Sequence, residues 1–174
     1  MAEKFNGTQK FDIAKALVYR MNDTIPELGQ IAGLRSAGHS FKVSKKSSKL
    51  FYGMEKYLSH NLENKFDKIF EAGGTSPMYR ALDDAAGDLK GLSGASAVIL
   101  VTDGLDLPGD VLASAKKLKG LYGSSVCFYP ILVGGSSNGE ALLKEIATIG
   151  NCGFYSTADE LLTSAGMANF VEKV

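Results

Sequence analysis

Two oxygen-bearing side chains, Thr75 and Asp103, stand where a sheet flanked by helices would present chemistry. Thr75 lies in the loop segment GGTSP, residues 73–77, ahead of an amphipathic stretch; Pro77 suits a first helical position, with Ser76 or Thr75 as cap. Asp103 follows Ala97–Val101 (AVILV), an apolar run of the length of a strand buried on both faces. Gly104 permits a sharp turn that would expose the acid. Open α/β sheets bind ligands outside the carboxyl ends of their strands, so the hydroxyl and the carboxylate are expected on one rim, as hard oxygen donors suited to Mg or Mn. The same two residues also read as a helix cap and a turn cap, and two donors fall short of the roughly six that Mg takes.

Other chemistry is poorly supported. No GxSxG surrounds a serine, and neither a P-loop nor a strand-end GxGxxG occurs. His39 and His60 lie far apart without a local Cys or Asp. Asp83, Asp84 and Asp88 read as a solvated helix face. Cys127 and Cys152 sit near the starts of two expected neighbouring strands, about 4.8 Å apart. They are expected to bridge and to indicate an oxidising compartment; two buried thiols are the alternative.

The elements that must position these residues follow from pattern. Phe11–Met21 carries an apolar helical face, Gln30–His39 fits an inner strand, and the lysine- and serine-rich Ser40–Ser48 reads as a solvated loop. Leu50–Tyr52 suits a short edge strand and Met54–Phe70 two helical pieces. Pro77–Leu89, Val111–Leu121 and Gly139–Ile149 are expected helices. Ser125–Val133 is a second buried strand, Gly153–Ser156 a short one, and two short helices close the chain. This alternation argues for a mostly parallel, doubly wound sheet with helices on both faces. At 174 residues, with 45% hydrophobic and 22% charged residues, one domain spanning 1–174 is expected. Nineteen basic and nineteen acidic side chains cancel, which gives no pull toward nucleic acid or membrane surfaces. No apolar run reaches the ~20 residues of a membrane span, and the polar N-terminus is not a signal peptide.

Together GGTSPMYRAL, AVILVTDG and FYPILVGG resemble a von Willebrand factor type A (VWA) domain, most narrowly those of bacterial envelope proteins. The resemblance covers nearly the whole chain and implies a Rossmann-like sheet of about six strands. It also implies a metal-ion-dependent adhesion site built from an Asp-x-Ser-x-Ser loop, a Thr and an Asp. Thr75 and Asp103 match the last two, and the first loop has no match. The chain then resembles the family from its first helix onward, with the first strand missing. That strand lies mid-sheet, so Ile31–Ser36 should either pair directly with Ala97–Thr102 or accept a strand from another chain; self-association through the unpaired sheet centre is one form of this.

The function implied is a non-enzymatic adhesion or interaction module with an incomplete metal site. Its protein ligand would meet the loops at the carboxyl ends of the strands, with Gly74, Ser76 and Gly104 on the rim. A periplasmic or extracellular parent protein is implied, and Mg or Mn would bind weakly if at all. The alternative is a metal-assisted hydrolase or phosphoryl-transfer domain using Asp103, which lacks a nucleophile–base pair and a phosphate cradle.

Overall fold

The computed structural model describes residues 1–73, 75–105 and 109–174; Gly74, Asp106, Leu107 and Pro108 lie outside it. Its centre is a parallel sheet in the order β5 (Ser96–Thr102), β6 (Val126–Leu132), β7 (Ser156–Thr157). β5 and β6 pair without a slip, from Ser96 opposite Val126 to Thr102 opposite Leu132. Pro130 lies opposite Leu100, and β7 joins only at Ile131 and Leu132.

Side chains of β6 alternate between two cores, as strand geometry requires. Val126, Phe128 and Leu132 pack among α3 (Met78–Asp88), α4 (Val111–Tyr122) and α5 (Ser137–Gly150). Tyr129, Ile131 and the following Val133 pack among α1 (Lys10–Thr24), α6 (Ala158–Leu161) and α7 (Ser164–Lys173). Helices therefore cover both faces, and the α/β class expected from the sequence is the one observed. Each fully buried Leu, Ile or Phe in these clusters contributes about 2 kcal/mol of transfer free energy.

A second, antiparallel pair stands apart: β3 (Ile31–Ala37) with β4 (Ser48–Lys56). β4 is longer than the expected edge strand. Met54–Lys56, expected to be helical, extends it, with Glu55 and Lys56 opposite Ala32 and Ile31, so sheet pairing overrides a weak helical pattern. Only one helix, α2 (Ser59–Phe66), forms in that region. The ladder slips around Gly33, where a β-carbon would lie 2.5 Å from Met54 Sδ. The missing side chain admits the Met54 thioether and bends the pair.

Arg35 ties β3 to α3. Its Nε and Nη2 donate to Asp88 Oδ2 and Oδ1 at 2.7 and 2.8 Å, and Nη1 donates to Asp84 at 3.1 Å. Asp83 accepts from Lys117 at 3.0 Å. The acidic face of α3 is solvent-facing at Asp83 and Asp84, as expected, and also serves as a bracket for neighbouring elements, with Asp88 largely covered by Arg35.

The direct pairing of Ile31–Ser36 with Ala97–Thr102 is not formed. Among the described residues β3 pairs only with β4 and β5 only with β6. Between β3 and β5 lies a cavity of about 220 Å³, walled by α1 and α3. Burial records the gap: β6 is buried along nearly its whole length, whereas Ala97 is exposed and Val98–Val101 only half-buried. Burial on both faces, expected for AVILV, belongs instead to β6.

Cys127, near the start of β6, is disulfide-bonded to Cys152, just beyond α5, with Cα atoms 5.1 Å apart. The bridge closes 25 residues, including the whole of α5. Paired Cys127→Ser and Cys152→Ser substitution should lower unfolding free energy by about 3 kcal/mol. Urea titrations of the oxidised and reduced wild type should reproduce the difference; coincident curves would show that the bridge restrains nothing.

Candidate functional site at the carboxyl ends of the parallel strands

Asp103 leaves β5 directly after Thr102, and the Val133 amide donates to the Thr102 carbonyl at 2.8 Å, locking the loops after β5 and β6 together. Gly104 follows with φ +64°, and a β-carbon there would lie 2.4 Å from Gly139 Cα in the first turn of α5. Only glycine fits this crossing. The turn does not expose Asp103, contrary to expectation: the residue is 1% accessible.

The carboxylate is occupied by this chain's own groups. Asp103 Oδ1 accepts from the Leu105 amide at 3.4 Å, the turn-capping role. Oδ2 accepts from the Met1 amino group at 2.5 Å and lies 3.7 Å from Lys10 Nζ. Lys10 is itself buried and donates to Glu3 at 2.7 Å. Two cations therefore converge on one buried acid.

A hairpin brings those cations there. β1 (Lys4–Phe5) pairs with β2 (Thr8–Gln9) across Asn6 and Gly7, both with positive φ. An Asn-Gly pair is the favoured occupant of such a two-residue turn. The Glu3 and Met1 carbonyls then accept from the Lys10 and Phe11 amides at 2.9 and 3.1 Å, satisfying donors that the start of α1 leaves free. Phe5 lies over the loop after β6, where a β-carbon on Gly135 would approach its ring within 3.3 Å.

Thr75 is exposed on a different support. Its loop packs against the exit of β3: the Gly73 amide donates to the Gly38 carbonyl at 3.0 Å, and a β-carbon on Gly38 would lie 3.2 Å from Ser76 Cα. Neither Thr75 nor Ser76 caps α3 through its side chain; Pro77 occupies the cap position instead. No hydrogen bond joins Thr75 to Asp103 among the described residues. Gly74, an expected rim residue, lies outside them. Ser76 is half-buried and reaches the cavity between β3 and β5. Among the described residues no cluster of three His, Cys, Asp or Glu side chains could hold a metal.

Sequence pattern missed Lys10, Met1 and Arg35, because pairing across the fold has no local signature. The Asn6-Gly7 turn was a readable signal for the hairpin. Asp103→Asn, which keeps the shape and removes the charge facing Met1 and Lys10, should destabilise the fold by about 2 kcal/mol. Glu3→Gln, at the exposed end of the chain of contacts, should change stability by less than about 1 kcal/mol. Equal effects in denaturant titration would place the anchoring elsewhere.

No protein-family model matches the chain, and no curated protein matches it in sequence. Solved structures resemble it. An aerotolerance-related membrane protein from Bacteroides fragilis, studied with multiple mutations to serines, superposes with TM-score 0.66 at 20% identity, over 95% of this chain and 90% of that one. A von Willebrand factor type A structure from Catenulispora acidiphila gives 0.64 at 17% identity; the match covers 92% of this chain and 36% of the other. The manganese-loaded TRAP protein of Plasmodium vivax gives 0.59 at 19% identity, over 90% and 64%. At these identities the likeness is one of fold, and it is the fold expected from the GGTSP and TDG segments.

Proposed function

We propose that this chain, whose fold is of the von Willebrand factor type A kind, is a non-enzymatic protein-binding module formed by residues 1–174 as one domain. It meets a protein ligand through the loops at the carboxyl ends of the parallel strands. The observation that carries this reading is the state of Asp103. Asp103, at the end of β5, is buried and faces the Lys10 ammonium at 3.7 Å, which leaves it poorly placed to act as a base or nucleophile. In this reading the rim offers a partner loop shape and neutral polar groups, Thr75 above all, together with Ser76 and Gly104; Gly74 is included on the sequence expectation alone.

The metal-ion-dependent adhesion site is incomplete in this reading. The donor set fits a divalent ion poorly: a cation approaching Asp103 meets the Lys10 ammonium 3.7 Å away, and Thr75 offers one neutral oxygen. Mg or Mn is therefore held weakly. The Cys127–Cys152 bridge favours an oxidising compartment, and one solved relative is a membrane protein. We place the parent protein in the periplasm or outside the cell.

Calorimetric titration with MgCl₂ should yield no saturable micromolar isotherm; such a site would restore the metal-dependent mode. Thr75→Ala should weaken capture of a protein ligand from envelope extract about fivefold, the loss of roughly one hydrogen bond, with the melting curve unchanged. Undiminished capture would move the contact away from the rim.

A further inference from the structure

We propose that the turn between β3 and β4 is a membrane-surface contact, which seats Phe41 and Phe70 among the headgroups of an anionic phospholipid bilayer. This reading does not rest on the rim. Charge segregation, exposed aromatics on adjoining segments and the order of the turn carry it.

The charges of the chain cancel overall but not locally. Residues 31–54 hold five basic side chains and no acidic one. Arg35 is taken up by Asp84 and Asp88. The other four, Lys42, Lys45, Lys46 and Lys49, belong to the turn and the start of β4. Among the described residues only Lys42 of these four has a carboxylate partner, Glu71 at 3.1 Å, in a pair open to solvent. Lys45 and Lys46 are exposed, and the Lys49 ammonium lies 4.5 Å from the centre of the Phe51 ring.

Phe41 is 79% accessible and Phe70 57%. One exposed aromatic needs no explanation, but these two stand on adjoining segments. His39 and Ala72 form an antiparallel bridge, and the Ser40 amide donates to the Glu71 carbonyl at 3.0 Å. Phe41 and Phe70 each follow one residue further from that bridge. Aromatic rings and unpaired lysines therefore share one patch of surface.

The turn is built, not loose. The Val43 and Ser44 amides donate to the Ser40 carbonyl at 2.9 and 3.1 Å. The Ser40 and Ser44 hydroxyls accept from the Lys42 and Lys46 amides at 3.2 and 3.1 Å. These serines hold the backbone that presents Phe41 and the lysines, so a contact made there has little left to order.

The chemistry of the patch selects its occupant. A projecting aromatic ring beside ammonium groups on flexible stems matches a bilayer interface. The ring reaches the acyl boundary while the lysines meet phosphates. A nucleic-acid strand is held instead in a groove with successive stacking rings, and Phe41 stands out from the surface. An acidic peptide would use the cations and leave both rings in water.

The chain has no tryptophan, so Phe41→Trp places a single fluorescent reporter on the patch. Its emission should shift to the blue with vesicles of phosphatidylcholine and phosphatidylglycerol in equal parts, and stay unshifted with phosphatidylcholine alone. The unsubstituted chain should co-sediment with the mixed vesicles. Joint Lys45→Gln and Lys46→Gln substitution should weaken that binding at least about tenfold, and added salt should weaken it too. Phe41→Ser should weaken it about fivefold. Thr75→Ala, which tests the rim, should leave it unchanged, and circular dichroism should be the same for every variant. The proposal is overturned if the mixed vesicles neither shift the emission nor sediment the chain, or if phosphatidylcholine alone does as well. It is also overturned if the double lysine variant binds like wild type, or if Thr75→Ala abolishes vesicle binding. An oligothymidylate or polyglutamate that shifts the emission as the vesicles do would overturn it as well, making the occupant a nucleic acid or an acidic protein.

Discussion

The β5–β6 ladder is the constraint on which the other elements hang. Seven residues of each strand pair in parallel without a slip, and every ladder bond replaces one that water would otherwise make. Because the register is fixed, the alternation along β6 is fixed too, and with it the division of helices between the two cores. The same register decides where β5 ends, and so where Asp103 emerges beside the first turn of α5.

The rim's electrostatics grow from the opposite end of the chain. A buried carboxylate without partners would be strongly disfavoured, and the N-terminal hairpin supplies them. Its turn needs two consecutive residues at positive φ, which Asn6 and Gly7 provide. The hairpin in turn gives the first amides of α1 their acceptors. One ion-paired acid thereby fastens the start of the chain, the first helix and the centre of the sheet at a single point.

Much of this was legible in residue order. AVILV and VCFYPIL are apolar runs bounded by turn residues, and both are strands; the helices over Phe11–Met21, Val111–Leu121 and Gly139–Ile149 lie within a few residues of their expected ends. Cys127 and Cys152 pair as their placement suggested. What pattern could not reveal depends on partners distant in sequence. Met54–Lys56 looks helical until Ile31 and Ala32 are beside it. Asp88 looks solvated until Arg35 arrives from β3. Asp103 looks exposed until residues about a hundred positions earlier close over it. β5 is less buried than expected for the related reason that among the described residues it pairs with β6 alone, and no property of AVILV itself encodes a neighbour.

Open strand borders are usually a hazard, since they invite identical molecules to stack into fibrils. Here the two unsatisfied borders face one another across a narrow gap, with α1 roofing one side and α3 the other. Walled by those helices, the borders are recessed from the surface. The geometry thus withholds from neighbouring molecules the template for runaway growth that a flat, outward-facing border would offer.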